Sequence, residues 1–424
     1  MASTTAIALL IVGLIVGGAV GYGVSLAVAP SSGSQTTSTG PQTIYIGSIE
    51  PLSGGDAIYG QSFYQSVELA ALQMNANLSA AGSNIQFKVV SADDAGSPST
   101  ADSALVSMYG TYGIQVLIGP LTSAEVQGVL STAASDHIVV MPPAATATSL
   151  NIPKSSTNYL VRPGQPGDQY EGSALAQTVI QVGAKNVVFL YRADTSESGT
   201  FNASSAIMKA AGLNVMGVSF QPSQTDYSAT VSTAASDAQS FLSSGGTSAN
   251  TVVVCGCDEV TEDQNIFTHA MSSTPLSSLR WFGIEAIDTP SLYGSATYGP
   301  WMAQVNFTIT TPAAFNSPQL TYFNQTFTAQ FKSPPEPYSN YAYDNAWIAM
   351  LAILMAGSNK GQNILQVVQL AADHYFGATG TGVWLDNNNA QTFAIYNIVE
   401  VVTGGNQRQI GTYNGATNQV TLTG

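Results

Sequence analysis

Apolar positions along this chain fall into two kinds of run that alternate. Ile114 to Ile118 is apolar apart from Gln115, rich in β-branched residues and closed by Gly119-Pro120, the pattern of a strand buried on both faces. Next, Thr122 and Glu125 stand at capping-box spacing, and Val126, Val129 and Leu130 recur at helical intervals. Ile138 to Met141 is a second buried strand, running into Pro142-Pro143-Ala144-Ala145-Thr146. Two strands separated by one helix, each ending in a small-residue loop, predict a βαβ unit with a parallel sheet.

The alternation extends in both directions. Ile44 to Glu50 reads as a strand, Phe63, Val67, Ala70, Ala71, Met74 and Leu78 as the buried stripe of a helix, and Ile85 to Ala92 as a second strand. Beyond Tyr159 to Gly164, helices are predicted at Asp168 to Val182, Thr195 to Ala211, Tyr227 to Leu242 and Thr261 to Met271. They alternate with strands at Asn186 to Tyr191, Asn214 to Phe220, Thr251 to Cys255 and Leu279 to Ile284. The expected class is therefore α/β, with two doubly wound parallel-sheet lobes. Val305 to Thr310 is expected to carry the chain back across, followed by helices at Ser317 to Lys332 and Ser339 to Ala356. The second of these is almost all apolar and predicts a core helix, not a second membrane span. TGVWLDNNNAQTFAIYNIVEV reads as strand, Asn-rich turn and strand; the tail from Gly404 carries turn and β-branched residues without a motif.

Residues 1–30 are a membrane anchor or signal segment. Ala6 to Ala29 is 24 residues without a charge, long enough to cross a bilayer. Its flank has no Lys or Arg, unlike a standard secretory signal, and Pro30 directly follows the cleavage-like triplet Ala27-Val28-Ala29. An uncleaved N-terminal transmembrane helix is expected, holding an extracytoplasmic globular part at the cell surface. Gly13, Gly17 and Gly21 share one face, a pattern that lets membrane helices approach closely or simply leaves the helix flexible. Ser31 to Pro41 is a flexible linker by composition. Sequons at Asn77, Asn202, Asn306 and Asn324 suit a glycosylated surface protein.

At 424 residues the chain can bury two ordinary cores. Its net charge of −15 with 10 Lys and Arg excludes a phosphate-binding surface, so no nucleic-acid partner is expected. Charged residues are only 8% of the chain, so protonating every carboxylate would leave a modest +13 from its 10 Lys and Arg and 3 His. That low charge density suits an acidic external medium. The chain has no GxSxG, HExxH or GxxxxGK[ST] motif, and its three histidines pair with no plausible nucleophile, so no enzyme activity and no cofactor are expected. Asp93-Asp94 has no His or Cys beside it and is read as capping the following helix. Cys255 and Cys257, two apart at a strand end, are expected as buried free thiols, with a local disulfide as the alternative. With His269 they match no metal pattern, and no metal site is assigned. Asp258, Glu259, Glu262 and Asp263 read as a solvated helix start favoured by the dipole, or as acids that a cationic ligand could use.

The loops after the two central strands carry hydroxyls at Thr122, Ser123, Thr146 and Thr148, where helix N-termini can bind an anionic group or where these residues simply cap helices. GPLTSAE followed by MPPAATATSL resembles the paired signature of the leucine–isoleucine–valine-binding family, the type I periplasmic-type substrate-binding proteins of ABC importers. IGSIEPLSGGDAIYGQSFYQSVELA, WFGIEAI and the helix SNYAYDNAWIAMLAILMAG continue the resemblance through most of the chain. It implies a three-crossing hinge between an N-terminal lobe (42–160 plus about 308–390) and a C-terminal lobe (about 161–307 plus about 391–424). It implies that Ser123, Ala144, Ala145 and Thr146 grip the ligand's carboxylate and ammonium, and Thr122, read above as a loop hydroxyl, is taken as a further ligand-site residue. Tyr59 would flank the ligand side chain, and Glu285 would pair with the ammonium; without the resemblance these two are an exposed loop aromatic and a solvated acid.

Two positions depart from the pattern. Ser196, followed by Glu197, stands where relatives carry an aromatic-glycine pair, and Cys257 replaces an aromatic at the next cleft loop. The second lobe then offers less apolar cover than a leucine site. The expected function is an extracytoplasmic binding protein for an amino acid or similar small polar solute, working with an ABC permease. A receptor for an amide or urea-like solute, or a surface structural protein that has kept the fold without a ligand, are the alternatives.

Overall fold

The computed structural model describes residues 42–423 apart from 314–316, 381–382, 384 and 393. The expected anchor and linker lie outside the described residues. Four strands form the first sheet: β1 (Gln42–Glu50), β2 (Ile85–Asp93), β3 (Val116–Ile118) and β4 (Val139–Met141), in the order β2-β1-β3-β4 and all parallel. Leu160 continues this sheet by a parallel bridge to Val140. The second sheet starts with β5 (Asn186–Arg192), β6 (Asn214–Phe220), β7 (Thr251–Gly256), β8 (Arg280–Gly283) and β9 (Thr308–Pro312). These run parallel in the order β9-β8-β7-β5-β6.

The second sheet then differs from the expectation. β10 (Ile395–Val402), β11 (Asn406–Asn414) and β12 (Gln419–Leu422) add to its β9 edge as an antiparallel meander. The unassigned tail is therefore sheet. Its strands sit at an edge with one face wet, so their apolar positions alternate and never form the buried runs that mark β3 or β7.

Local chemistry explains the helix starts. Thr122 Oγ1 accepts from Glu125 N at 3.4 Å while Thr122 N donates to Glu125 Oε2 at 2.9 Å, the reciprocal capping box read from the sequence, and the helix Ser123–Asp136 follows. Ser97 caps the helix Pro98–Tyr112, with proline at its first position. Asp93 does not cap that helix. Its Oδ1 instead accepts from Leu52 N, Ser53 N and Ala95 N at 2.8–3.2 Å and so folds the Pro51–Gly55 loop over the end of β1. The helix Ser339–Ala356 is buried along nearly its whole length in the first sheet's larger core, beside Phe63, Val67, Val116 and Met141. Among the described residues no helix is long and apolar enough to cross a membrane.

The segments that pass between the sheets lie side by side. Arg162 N donates to Asn389 O at 2.7 Å and Gln391 N to Arg162 O at 2.9 Å, binding the first passage to the last.

Candidate functional site

Parallel strands expose their carboxyl ends and the N-termini of the following helices on one edge, and the two sheets turn these edges toward each other. From the first sheet come the loop 119–122 with Ser123 after β3, and the loop 142–147 after β4. The core helix fixes the second loop: Asn345 Nδ2 donates to Met141 O and Pro142 O, each at 3.2 Å. Arg162, 2% exposed, donates from Nη1 to Ala145 O and Ala147 O at 3.4 and 3.5 Å. Ser123 Oγ completes the clamp by accepting from Thr146 N and Ala147 N, both at 3.1 Å, which leaves its own proton to be donated elsewhere.

From the second sheet come Asp194 to Glu197 after β5, Cys257 to Glu259 after β7, and Glu285 in the 3₁₀ turn Glu285–Ile287 after β8. Asp194 caps the helix Thr195–Ala210, accepting from Glu197 N at 2.8 Å. Glu285 N donates to Glu171 Oε1 at 2.9 Å, and Glu285 Oε1 accepts from Gln165 Nε2 at 2.8 Å. Its other oxygen, Oε2, is shielded from solvent without a hydrogen-bond partner, and burial pushes its carboxyl up to about 7.

These loops enclose a cavity of about 60 Å³ lined by Tyr59, Thr122, Ser123, Ala144, Thr146, Ser196 and Glu285 among others. Seven of the positions singled out in the sequence thus meet in one hollow shared by both sheets. Thr146 Oγ1 stands 3.4 Å from Ser196 Oγ, a contact between the facing loops.

Ala145 and Cys257 do not line it. The Ala145 side chain is 3% exposed and packs in the first sheet's second core with Val126 and Leu150. Cys257 is fully buried with Leu190 and Ile266 and is bonded to Cys255, so the free-thiol expectation is overturned. Side chains two apart share a face, and the chain bends where β7 ends at Gly256, bringing the two Cα atoms to 5.5 Å, within disulfide reach. An Asp263 oxygen lies near both sulfurs, but sulfurs bonded to each other offer a metal no thiolate. His269 faces Asp226 instead, at 3.3 Å.

The cavity also takes in Asp56, Leu121, Gln165, Ala286 and Tyr338, which the sequence reading passed over, Phe63 and Glu197, named there without a ligand role, and Asp258, read there as a solvated acid or one a cationic ligand could use. Tyr338 adopts φ +68° just before the core helix and restores an aromatic wall from a direction no strand-end pattern signals. The acids after β7 are not a solvated face: Asp258 and Glu259 are half-buried and the next two are enclosed. Glu262 and Asp263 are 2% and 0% exposed; Glu262 meets Arg192 at the end of β5, and Asp263 lies beside the cysteine pair. Arg192 meets Asp194 at 2.9 Å, Glu259 at 3.0 Å, Asp258 at 3.5 Å and Glu262 at 3.6 Å. The four sequon asparagines are all exposed.

A profile described as "Periplasmic binding protein" matches residues 43–406. An uncharacterized protein of Methanocaldococcus jannaschii is 26% identical over 257 residues, 59% of each chain. A Leu/Ile/Val-binding protein of Rhizobium johnstonii is 29% identical over 206 residues, 48% of this chain and 53% of that one. The chain thus spans little more than half the length of these two relatives. Among solved structures, a leucine-binding protein from Thermotoga maritima superposes with a TM-score of 0.72 at 18% identity, covering 88% of this chain and 99% of that one. A Streptococcus pneumoniae branched-chain amino acid binding protein in complex with isoleucine gives 0.69 at 19%, covering 90% and 100%. An R. palustris solute-binding protein in complex with benzoate gives 0.71 at 16%, covering 88% and 96%. These likenesses place the fold, and with the profile spanning most of the sequence, the chain belongs to the periplasmic binding protein family.

Proposed function

We propose that this protein is the extracytoplasmic receptor of an ABC importer and binds an amino acid in the cleft between its two sheets. One observation carries the reading: hydroxyls of Ser123 and Thr146 on one side and the Glu285 carboxyl on the other line a single small cavity. A zwitterion satisfies both sides at once, its carboxylate accepting from the hydroxyls and its ammonium donating to Glu285 Oε2. A ligand that touches both sides favours the closed arrangement by its differential affinity for it, with hinging about the paired segments at Arg162 and Asn389. The closed form would then dock on the permease, and Ala6 to Ala29 would tether the receptor to the membrane.

Thermal denaturation with and without amino acids tests this. The wild type should gain Tm in proportion to ligand concentration, and Glu285→Ala should lose that gain. A protein that no amino acid stabilises would refute the reading.

A further inference from the structure

The charge on the cavity wall is one-sided. Asp56, Glu197, Asp258 and Glu285 line it, and among the described residues no Lys, Arg or His does. Glu197 is 4% exposed, and its Oε2 is shielded with no hydrogen-bond partner. Asp56 approaches from the first sheet's side and Asp258 with Glu259 from the second; a Cβ built on Gly55 would stand 2.6 Å from Glu259 Oε2. Facing loops so close and of like sign oppose closure unless a cation lies between them. Arg192 is already divided among Asp194, Asp258, Glu259 and Glu262.

We infer that the amino acid bound in this cleft carries a cationic side chain, whose head is held by Glu197, Asp56 and Asp258. This rests on the receptor reading above and narrows its ligand. The inner cavity of about 60 Å³ suits the α-amino and carboxyl end. It adjoins a larger chamber of about 410 Å³ and shares with it Asp56, Thr122, Ser123, Ser196 and Asp258. A lysine- or arginine-length side chain fits that path. Its methylene stem would pass Tyr59, Phe63 and Leu121, and its charged head would meet the acids at the junction of the two chambers. Phenolic faces beside a cation add a further attraction. A leucine side chain would instead be pressed against carboxylates that it cannot pair.

Isothermal titration of the full chain with L-arginine, L-lysine, L-citrulline and L-leucine tests the inference. Citrulline keeps the size of arginine and removes its charge. Arginine or lysine should bind at least about tenfold more tightly than citrulline and leucine, because a charge-assisted hydrogen bond in a closed site is worth that much or more. Glu197→Gln should weaken binding of the cationic ligand by about tenfold or more. Asp258→Asn, at a half-buried position, should weaken it in the same direction if the first variant does not fold. Citrulline or leucine binding as tightly as arginine would overturn the cationic assignment while leaving the receptor reading standing. If none of the four binds, the cationic assignment falls, and the receptor reading falls too if no amino acid raises Tm in the thermal test above.

Discussion

Thr146 Oγ1 and Ser196 Oγ are 3.4 Å apart, although one belongs to the loop after β4 and the other to the helix start after β5. The loops facing the cleft therefore already touch, and any ligand is surrounded by groups that other contacts hold in place. Ser123 is the chief of these, because one hydroxyl oxygen ties down two successive backbone N–H groups, of Thr146 and Ala147.

Ser123→Ala should therefore act on stability and binding together. Two buried N–H groups lose their acceptor, at a cost of about 1–3 kcal/mol. Denaturant melts should show that loss, and ligand-induced stabilisation should fall with it. Unchanged stability would mean that the loop is held by other contacts.

Acidification should stabilise the unliganded chain. Burial pushes Glu285, Asp168, Glu125 and Glu262 up to about 7, Asp194 and Asp344 up to about 6, and Asp56, with help from Asp258 and Glu259, up to about 8. A carboxyl whose folded value lies above its unfolded one binds more protons when folded. Its contribution is complete below about pH 4, and it is lost as pH rises from there through about 6–8. Asp93, held low by Ser53 and backbone N–H groups, works the other way only below its ordinary range near 3.8. Tm should rise by at least about 2–4 °C between pH 7.5 and pH 5. A falling Tm over that interval would refute both this sign and the suitability for an acidic medium.

Arg192→Met should destabilise strongly at neutral pH. The guanidinium serves Asp194, Asp258, Glu259 and Glu262, and removing it leaves buried acids uncompensated, typically costing about 3–5 kcal/mol. The penalty should shrink at pH 5, where Asp194 and Glu262, both raised by burial, hold protons, and chemical melts at the two pH values would show the difference. An equal loss at both would make Arg192 a packing residue only.

The disulfide has a simple chemical readout. The unfolded chain without reductant should show no reactive thiol, and after reduction it should show the Cys255 and Cys257 pair. Thiols reactive before reduction would restore the free-cysteine expectation.

Legibility in the sequence follows sequence distance. The run Ile114–Ile118, the capping box at Thr122 and Glu125, and the apolar helix Ser339–Ala356 are local signals, and the fold bears them out with shifts of a residue or two. Ser123 and Thr146 stand out because strand ends in parallel sheets are where sites form, and Glu285 stands out because WFGIEAI resembles a segment of the family. What stays hidden depends on partners far along the chain. Glu262 reads as part of a wet helix start because nothing near it announces Arg192, and Gln165 gives no sign that it will meet Glu285. The bond at Cys257 is hidden because a strand pattern does not show where the chain bends, and Tyr338 because its wall position depends on a positive φ.

A structure of the chain crystallised with L-arginine tests the central claim most directly. The account predicts one ligand between the sheets, its carboxylate within about 3.2 Å of Ser123 Oγ or Thr146 Oγ1 and its ammonium within the same reach of Glu285. A ligand seated elsewhere, or a cleft in which Ser123 and Glu285 contact no common molecule, would contradict it.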